Sequence, residues 1–378
     1  MWTVGDEVTH QKFLAALTKS HGYDGRVEAW YNGEKIDEVD FATGSVKVTA
    51  KNRERRSLTL TVAERLWPTL PTDPTSPFGV WLQAFVTVTA GATRFPEIPV
   101  FAGRLSKVSR IRWSGQLQVE AVDPMWQVNR EVFEVPRYVG DGNLIIDVAR
   151  ALLLEVYEQA TLQDLTGSAA MMPVAATWDT VPGARGKALD ELAAALGAEV
   201  FARPTAVWPG GDFVIRPVPS PTDPVAWTLP DGAASIVAGD EQALSGLAVA
   251  NRWIVTSERT DEVEPIRVVV SDDAPASTTR YGGPMGKLTD FYTSALITSH
   301  AQAFMAGQAK LIRSLGPART RAVRLVANPA LDAGDVLAVS VDGERVEFHV
   351  VDDFDIPLTH DPADMTVTTQ STGAGDEG

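Results

Sequence analysis

The sequence predicts a mainly β protein with an α/β insert, in which two β-rich domains, half-barrel or sandwich by pattern, flank a smaller domain of helices and a hairpin. Three observations carry this reading. Residues 23–135 and 321–358 alternate apolar and other side chains with period two, the pattern of strands buried on one face. Between them, 143–161 and 187–196 place apolar residues at helical spacing. At 378 residues the chain is also too long for one ordinary core. The expected division is an N-terminal helical segment, 1–22; a first β-domain, 23–136; an α/β insert with a proline-rich linker, 137–235; a second β-domain carrying a helix, 236–370; and a Gly- and acid-rich tail, 371–378, expected to be disordered.

Asp6 to His21 reads as a short amphipathic helix with Phe13, Leu14 and Leu17 on one face and Gly22 just beyond its end. Val27, Ala29 and Tyr31 lead into Asn32-Gly33, a strong two-residue hairpin signal. Val46 and Val48, then Leu58, Leu60 and Val62, continue with period two, followed by Leu82 to Val88, Phe101 to Leu105, and Leu117, Val119 and Ala121. The stretch Trp67 to Pro77 holds four prolines and must be a loop. In the insert, helices over Asn143–Thr161 and Lys187–Leu196 accompany strands Glu199–Arg203 and Asp212–Pro217, which meet at Pro209-Gly210-Gly211. Pro219 to Pro224 forms a stiff linker.

In the second β-region, Leu247 to Val255 and Arg267 to Val270 read as strands. A helix over Thr293–Leu315, with Ala301, Phe304, Met305, Gln308, Leu311, Ile312 and Leu315 near i, i+3, i+4 spacing, stops at Gly316-Pro317. The meander that follows, Arg321 to Leu358, has a proline-containing turn at Asn328–Asp335 and an Asp342-Gly343 hairpin signal.

Composition excludes several functions. With no Cys there is no disulfide framework, thiolate metal site or Cys nucleophile. A net charge of −16 disfavours attraction to nucleic-acid phosphates or anionic lipid. No apolar run approaches bilayer length, so no direct membrane insertion is expected, and synthesis in a cytoplasm is. The five histidines form no HExxH pair, and there is no GxSxG elbow or EF-hand loop. Gly186-Lys187 and Gly286-Lys287 lack the glycine and the Ser/Thr that a phosphate loop needs. Asp352, Asp353 and Asp355 could seed a cation site or a glycosidase pair. Asp353 and Asp355 share a strand face, however, while Asp352 points away, as solvated strand-end charges do. No catalytic, cofactor-binding or metal residue is therefore assigned and no cofactor is expected. A carbohydrate-binding β-module would show aromatics as sugar platforms, but Trp30, Trp113 and Trp253 lie in strand-like runs where packing is the simpler role.

Phe101-Ala102-Gly103-Arg104-Leu105 followed by Leu117 to Pro124 resembles the G-R-hydrophobic … A-x-D ending of the first tube domain in tailed-phage tail-hub proteins, the baseplate-hub relatives that include the late control protein D family. The order helix, Gly316-Pro317, strand, Asn328–Asp335 turn, strand, hairpin, strand ending Ile356-Pro357-Leu358 resembles their second tube domain. Asn251 and the loop Asp272–Gly282 stand where those relatives carry an N-x-hydrophobic-V strand and a D-x-x-S-P-T loop, although Ser277 here precedes Thr. The resemblance implies two tail-tube-like β-barrel domains per chain and a non-enzymatic homotrimer at the distal end of the tail tube. Its partners would be tail tube or distal tail protein on one side and tip or fibre proteins on the other, with DNA passing without specific binding. It places the protein in the virion tail tip. The hub of a contractile injection system is the nearest alternative. The resemblance also leads us to expect an acidic channel wall that repels phosphates, and a common fold in the two β-regions.

Overall fold

The computed structural model describes residues 1–111, 113–205, 211–231, 235–247, 249–258, 266–316, 319–341, 345–359 and 365–371. It opens with helix α1 (Glu7–Leu17), whose N-cap Asp6 accepts the Thr9 N–H at 2.8 Å. The helix buries Phe13 and Leu17, and the Phe13 ring meets Phe95 edge-on at 5.6 Å. Strands β1 (Gly22–Tyr31), β2 (Glu34–Glu38), β3 (Thr43–Thr49), β4 (Arg56–Ala63), β5 (Trp81–Ala90), β6 (Thr93–Arg94), β7 (Ile98–Ile111) and β8 (Gln116–Val122) follow. They pair antiparallel in the order β3-β4-β8-β7-β5-β1-β2, with β6 on β5. Asn32 and Gly33 both take positive φ, 49° and 84°, as a type I′ turn requires. Val27, Ala29, Val46, Val48, Leu58, Leu60 and Val62 are buried, as their alternation predicts. The proline-rich loop ties itself down: the Asp73 carboxylate accepts the Thr69 and Leu70 N–H groups at 2.6 and 2.7 Å.

The insert comprises α2 (Met125–Arg130), β9 (Arg137–Val139), α3 (Ile145–Leu154), β10 (Thr161–Asp164), β11 (Ala176–Trp178), α4 (Ala184–Ala195), β12 (Ala198–Arg203) and β13 (Asp212–Pro217). Ile145, Val148, Leu152, Leu189, Leu192, Phe213 and Ile215 form its own core. The β12–β13 hairpin stands as the sequence predicts, with Pro209-Gly210 outside the described residues. The parallel strand β10 beside β13 was not predicted, because four residues with only Leu162 buried carry no readable period.

The remainder comprises β14 (Val225–Leu229), β15 (Val237–Leu244), β16 (Arg252–Ser257), β17 (Arg267–Ser271), β18 (Thr289–Ser294), α5 (His300–Leu315), β19 (Arg319–Leu325), β20 (Val336–Val341), β21 (Arg345–Pro357) and β22 (Met365–Gln370). The sequence places the strands after Leu247 in the second β-domain without distinguishing their sheet from that of the meander. They instead form a separate three-stranded sheet, β17-β16-β18, on which α5 packs.

Helix α5 is also shorter than expected and differently turned. Residues 289–294 form a strand, and Ser299 with Gln302 makes a capping box at the true start. Its buried face is Ala303, Ala306, Gly307 and Leu315, while Phe304 and Met305 are exposed. Small residues win because the helix sits close to the sheet, where a Cβ on Gly307 would lie 2.6 Å from a Val270 methyl. Gly316 caps the helix; Pro317, the Asp342-Gly343 turn and residues 372–378 lie outside the described residues.

Candidate functional site

The second β-region repeats six strands of the first. Its order, β15-β19-β22-β21-β20-β14, matches β3-β4-β8-β7-β5-β1, and only β14 reverses direction, lying parallel to β20. The registers coincide as well. Trp81 pairs with Arg104 and Leu82 with Gly103, while Val336 pairs with Val350 and Leu337 with His349. Each long strand then bulges at the same place, between Leu105 and Lys107 in β7 and between Val351 and Asp353 in β21. The equivalent residues are thus Leu105 and Val351, Lys107 and Asp353.

The two units meet along one seam. Past its bulge, β21 leaves β20 and pairs with β3: Asp353 with Thr49, Phe354 with Val48, Asp355 with Lys47, Ile356 with Val46 and Pro357 with Ser45. One edge of β21 therefore serves β20 with its first half and β3 with its second, and a single apolar core runs beneath both units. The acidic trio belongs to this seam. Asp352, in the bulge, pairs with Lys51 at 2.6 Å, and Asp353 reaches Lys47 at 3.8 Å. Partial burial raises the Asp355 carboxyl.

The strand's end also closes the first unit. The Tyr23 hydroxyl donates to the Pro357 carbonyl at 2.8 Å, and a Cβ on Gly25 would sit 2.1 Å from the Leu358 carbonyl oxygen. Gly25→Ala must part β1 from that strand end and is expected to cost about 1–3 kcal/mol in urea unfolding. Gly22→Ala on the same strand, whose nearest neighbour would be an ordinary 3.7 Å away, should stay close to wild type.

A largely buried ionic group on Glu199 ties the first unit and α5 to the insert. Glu199 on β12 holds Arg55 at 2.6 Å, Arg216 at 3.0 Å and Arg313 of α5 at 3.1 Å. Burial alone would raise the Glu199 carboxyl, but the three guanidinium groups overcome it and bring it to about 2. Arg55 and Arg216 also lie over the Phe201 ring, at 3.6 and 4.8 Å. The neighbouring Arg56 binds Asp332 of the Asn328–Asp335 turn at 2.7 Å.

The histidines are dispersed. His349 sits in the second unit's interior with Glu347 at 3.1 Å and Thr369 at 3.2 Å, Arg321 completing the group on Glu347. His10, His21 and His300 lie on or beside α1 and α5, and His360 is outside the described residues. Asn251 and the Asp272 loop do come together. The Asn251 amide donates to the Thr279 and Gly286 carbonyls, and Asp272 accepts both the Ser277 and Thr279 hydroxyls at 2.6 Å. Among the tryptophans, Trp30 and Trp253 lie on strands as expected. Trp113 does not: it occupies the β7–β8 turn at positive φ and is 90% exposed.

No protein-family model matches the sequence, and no curated protein is similar to it. Solved structures are. A tail protein from Neisseria meningitidis superposes with a TM-score of 0.63 at 13% identity, covering 94% of this chain and 98% of that one. The 43 kDa tail protein of prophage MuSo2 from Shewanella oneidensis gives 0.59 at 11% identity, covering 93% and 100%. An E. coli component of the type VI secretion system, itself similar to T4 tail proteins gp27 and gp5, gives 0.54 at 10% identity over 91% and 76%. At these identities what is shared is the fold, along nearly the whole chain, and the fold is that of phage tail proteins.

Proposed function

We propose that this chain is a tail hub: a non-enzymatic homotrimer that closes the distal end of a tail tube, presenting six similar β-units to a sixfold tube and threefold symmetry to the tip. The observation that carries the reading is the repeat of one β-unit twice within a chain, in the same strand order and register. Three such chains supply six units. Domain boundaries near residues 22, 136, 235 and 370 belong to the same proposal. Tail tube or distal tail protein on one side and tip or fibre proteins on the other are its partners, in a virion tail tip assembled after synthesis in the host. The net charge of −16 favours an acidic channel wall that DNA passes without sticking. The likeness to a type VI secretion component favours a second reading, the hub of a contractile injection system.

The test is mass and symmetry. Light scattering and particle imaging should find trimeric rings, alone at high concentration or on a tube-protein template. A chain that stays monomeric with tube protein present overturns the hub reading.

A further inference from the structure

We propose that a second copy of this chain docks edge to edge on β15 through the Lys107–Ile111 segment of its β7, repeating between chains the junction that β21 and β3 make within one. The inference rests on the hub reading and adds to it the edges, the direction and the register.

The repeat leaves one half-junction of each kind open. In the first unit the outer edge of β3 is covered by Asp353–Pro357. The counterpart of β3 is β15, which among the described residues pairs with β19 alone and ends the strand order. The counterpart of Asp353–Pro357 is Lys107–Ile111, which pairs with β8 on one edge and, among the described residues, with no strand on the other. Open edges of this kind are templates for another chain. Here the two are complementary rather than alike, so contact is head to tail rather than two-fold, the kind that makes a ring when its rotation closes, as the hub reading requires.

The register transfers directly. Arg56 and Arg319 are equivalent, facing Val48 and Leu244 on the two inner edges. Phe354 opposite Val48 therefore becomes Val108 opposite Leu244. Around it, Lys107 faces Ser245, Ser109 faces Ala243, Arg110 faces Gln242 and Ile111 faces Glu241.

The side chains suit this assignment. Val48 is 0% exposed beneath its partner strand, whereas Leu244 is 77% exposed and Val108 half-buried. Trp113, exposed two residues beyond the docking segment, is the kind of aromatic anchor that interfaces favour. The charges are reversed between the two junctions. Within the chain the β3 edge carries Lys47 and the β21 edge Asp353 and Asp355; between chains β15 carries Asp240 and Glu241, and β7 carries Lys107 and Arg110. Three of these have partners in their own chain: Asp240 with Arg321, Lys107 with Glu120 and Arg110 with Glu64. The reversal sets like charges against each other whenever an edge takes the wrong partner.

Because the chain has no Cys, paired substitutions report the contact without background. Neighbouring cross-strand pairs alternate between close and wide spacing, so two are needed: Ser109→Cys with Ala243→Cys, and Val108→Cys with Leu244→Cys. Under oxidation at concentrations where trimers are present, one of these pairs should yield covalent dimers and trimers. Ser109→Cys with Gln242→Cys, one residue out of register, should yield at least about tenfold less. None of the five single variants should cross-link. Trimers by mass with neither in-register pair cross-linking overturn this junction and leave the hub reading standing. Dimers of the Ser109→Cys variant alone show a two-fold contact and likewise overturn the junction. A chain monomeric under every condition, tube protein included, overturns both.

Discussion

Glu199→Ala should lower the stability of the chain by about 3–5 kcal/mol, the cost of removing one member of a buried ionic group and leaving the others uncompensated. The carboxylate is the shared acceptor for Arg55, Arg216 and Arg313, which arrive from the β3–β4 connection, β13 and α5. Without it, the buried Arg55 and the mostly buried Arg216 lose their shared carboxylate, while Arg313, about half exposed, can turn to solvent. Chemical denaturation measures the loss, and a change below about 1 kcal/mol would place Glu199 with surface ion pairs instead. A pH series adds an independent check. The folded pKa of Glu199, about 2, lies below the ordinary carboxylate range near 4.3, so its contribution is full above that range and disappears as pH falls toward 2. Asp332 is lowered in the same direction by Arg56, Arg216 and Arg55 despite its burial. Asp123 runs the other way: burial raises it to about 7, so its contribution is present at acid pH and is lost as pH rises through neutrality. Glu199→Ala should therefore flatten the acid limb of the stability profile and leave the neutral limb unchanged.

The second large effect is expected at Phe354. This ring is 1% exposed, faces Val48 across the seam and belongs to the core that both β-units share. Phe354→Ala should cost about 3–5 kcal/mol, and Phe354→Leu clearly less. Because one core runs under both units, they should unfold together in wild type. Separate transitions for the two units in wild type, or a Phe354→Ala loss below about 1 kcal/mol, would show that the seam does not couple them.

The sequence reveals the first unit's main strands and β19, β20 and β21 of the second, where alternation survives; β14, β15 and β22 it does not show, and β15 has no buried face to print a period. It also separates Asp352 from Asp353 and Asp355, which the bulge and the seam explain. What the residue pattern hides is the repeat, which the sequence predicts only through its resemblance to tail hubs. Leu58, Phe101, Gly103 and Ala121 in the first unit correspond by pairing to Arg321, Glu347, His349 and Thr369 in the second. An apolar interior in one unit is thus answered by a hydrogen-bonded polar group in the other, and composition conceals the kinship that register shows. The inward face of α5 was hidden for a different reason. Helical periodicity favours the large residues Phe304 and Met305, but close approach to a sheet selects Ala303, Ala306 and Gly307. The parallel pairing of β14 with β20 joins residues about a hundred positions apart, beyond the reach of any local pattern.

The covalent joining of the two units has a kinetic meaning. Within one chain the β21–β3 junction forms at an effective concentration set by the tether through the insert, whatever the amount of protein in the cell. A six-unit ring built from three such chains needs only two diffusional encounters, the third junction closing within the assembly. It cannot be assembled from an odd number of units, so five- and seven-membered errors are excluded by the length of the polypeptide rather than by proofreading.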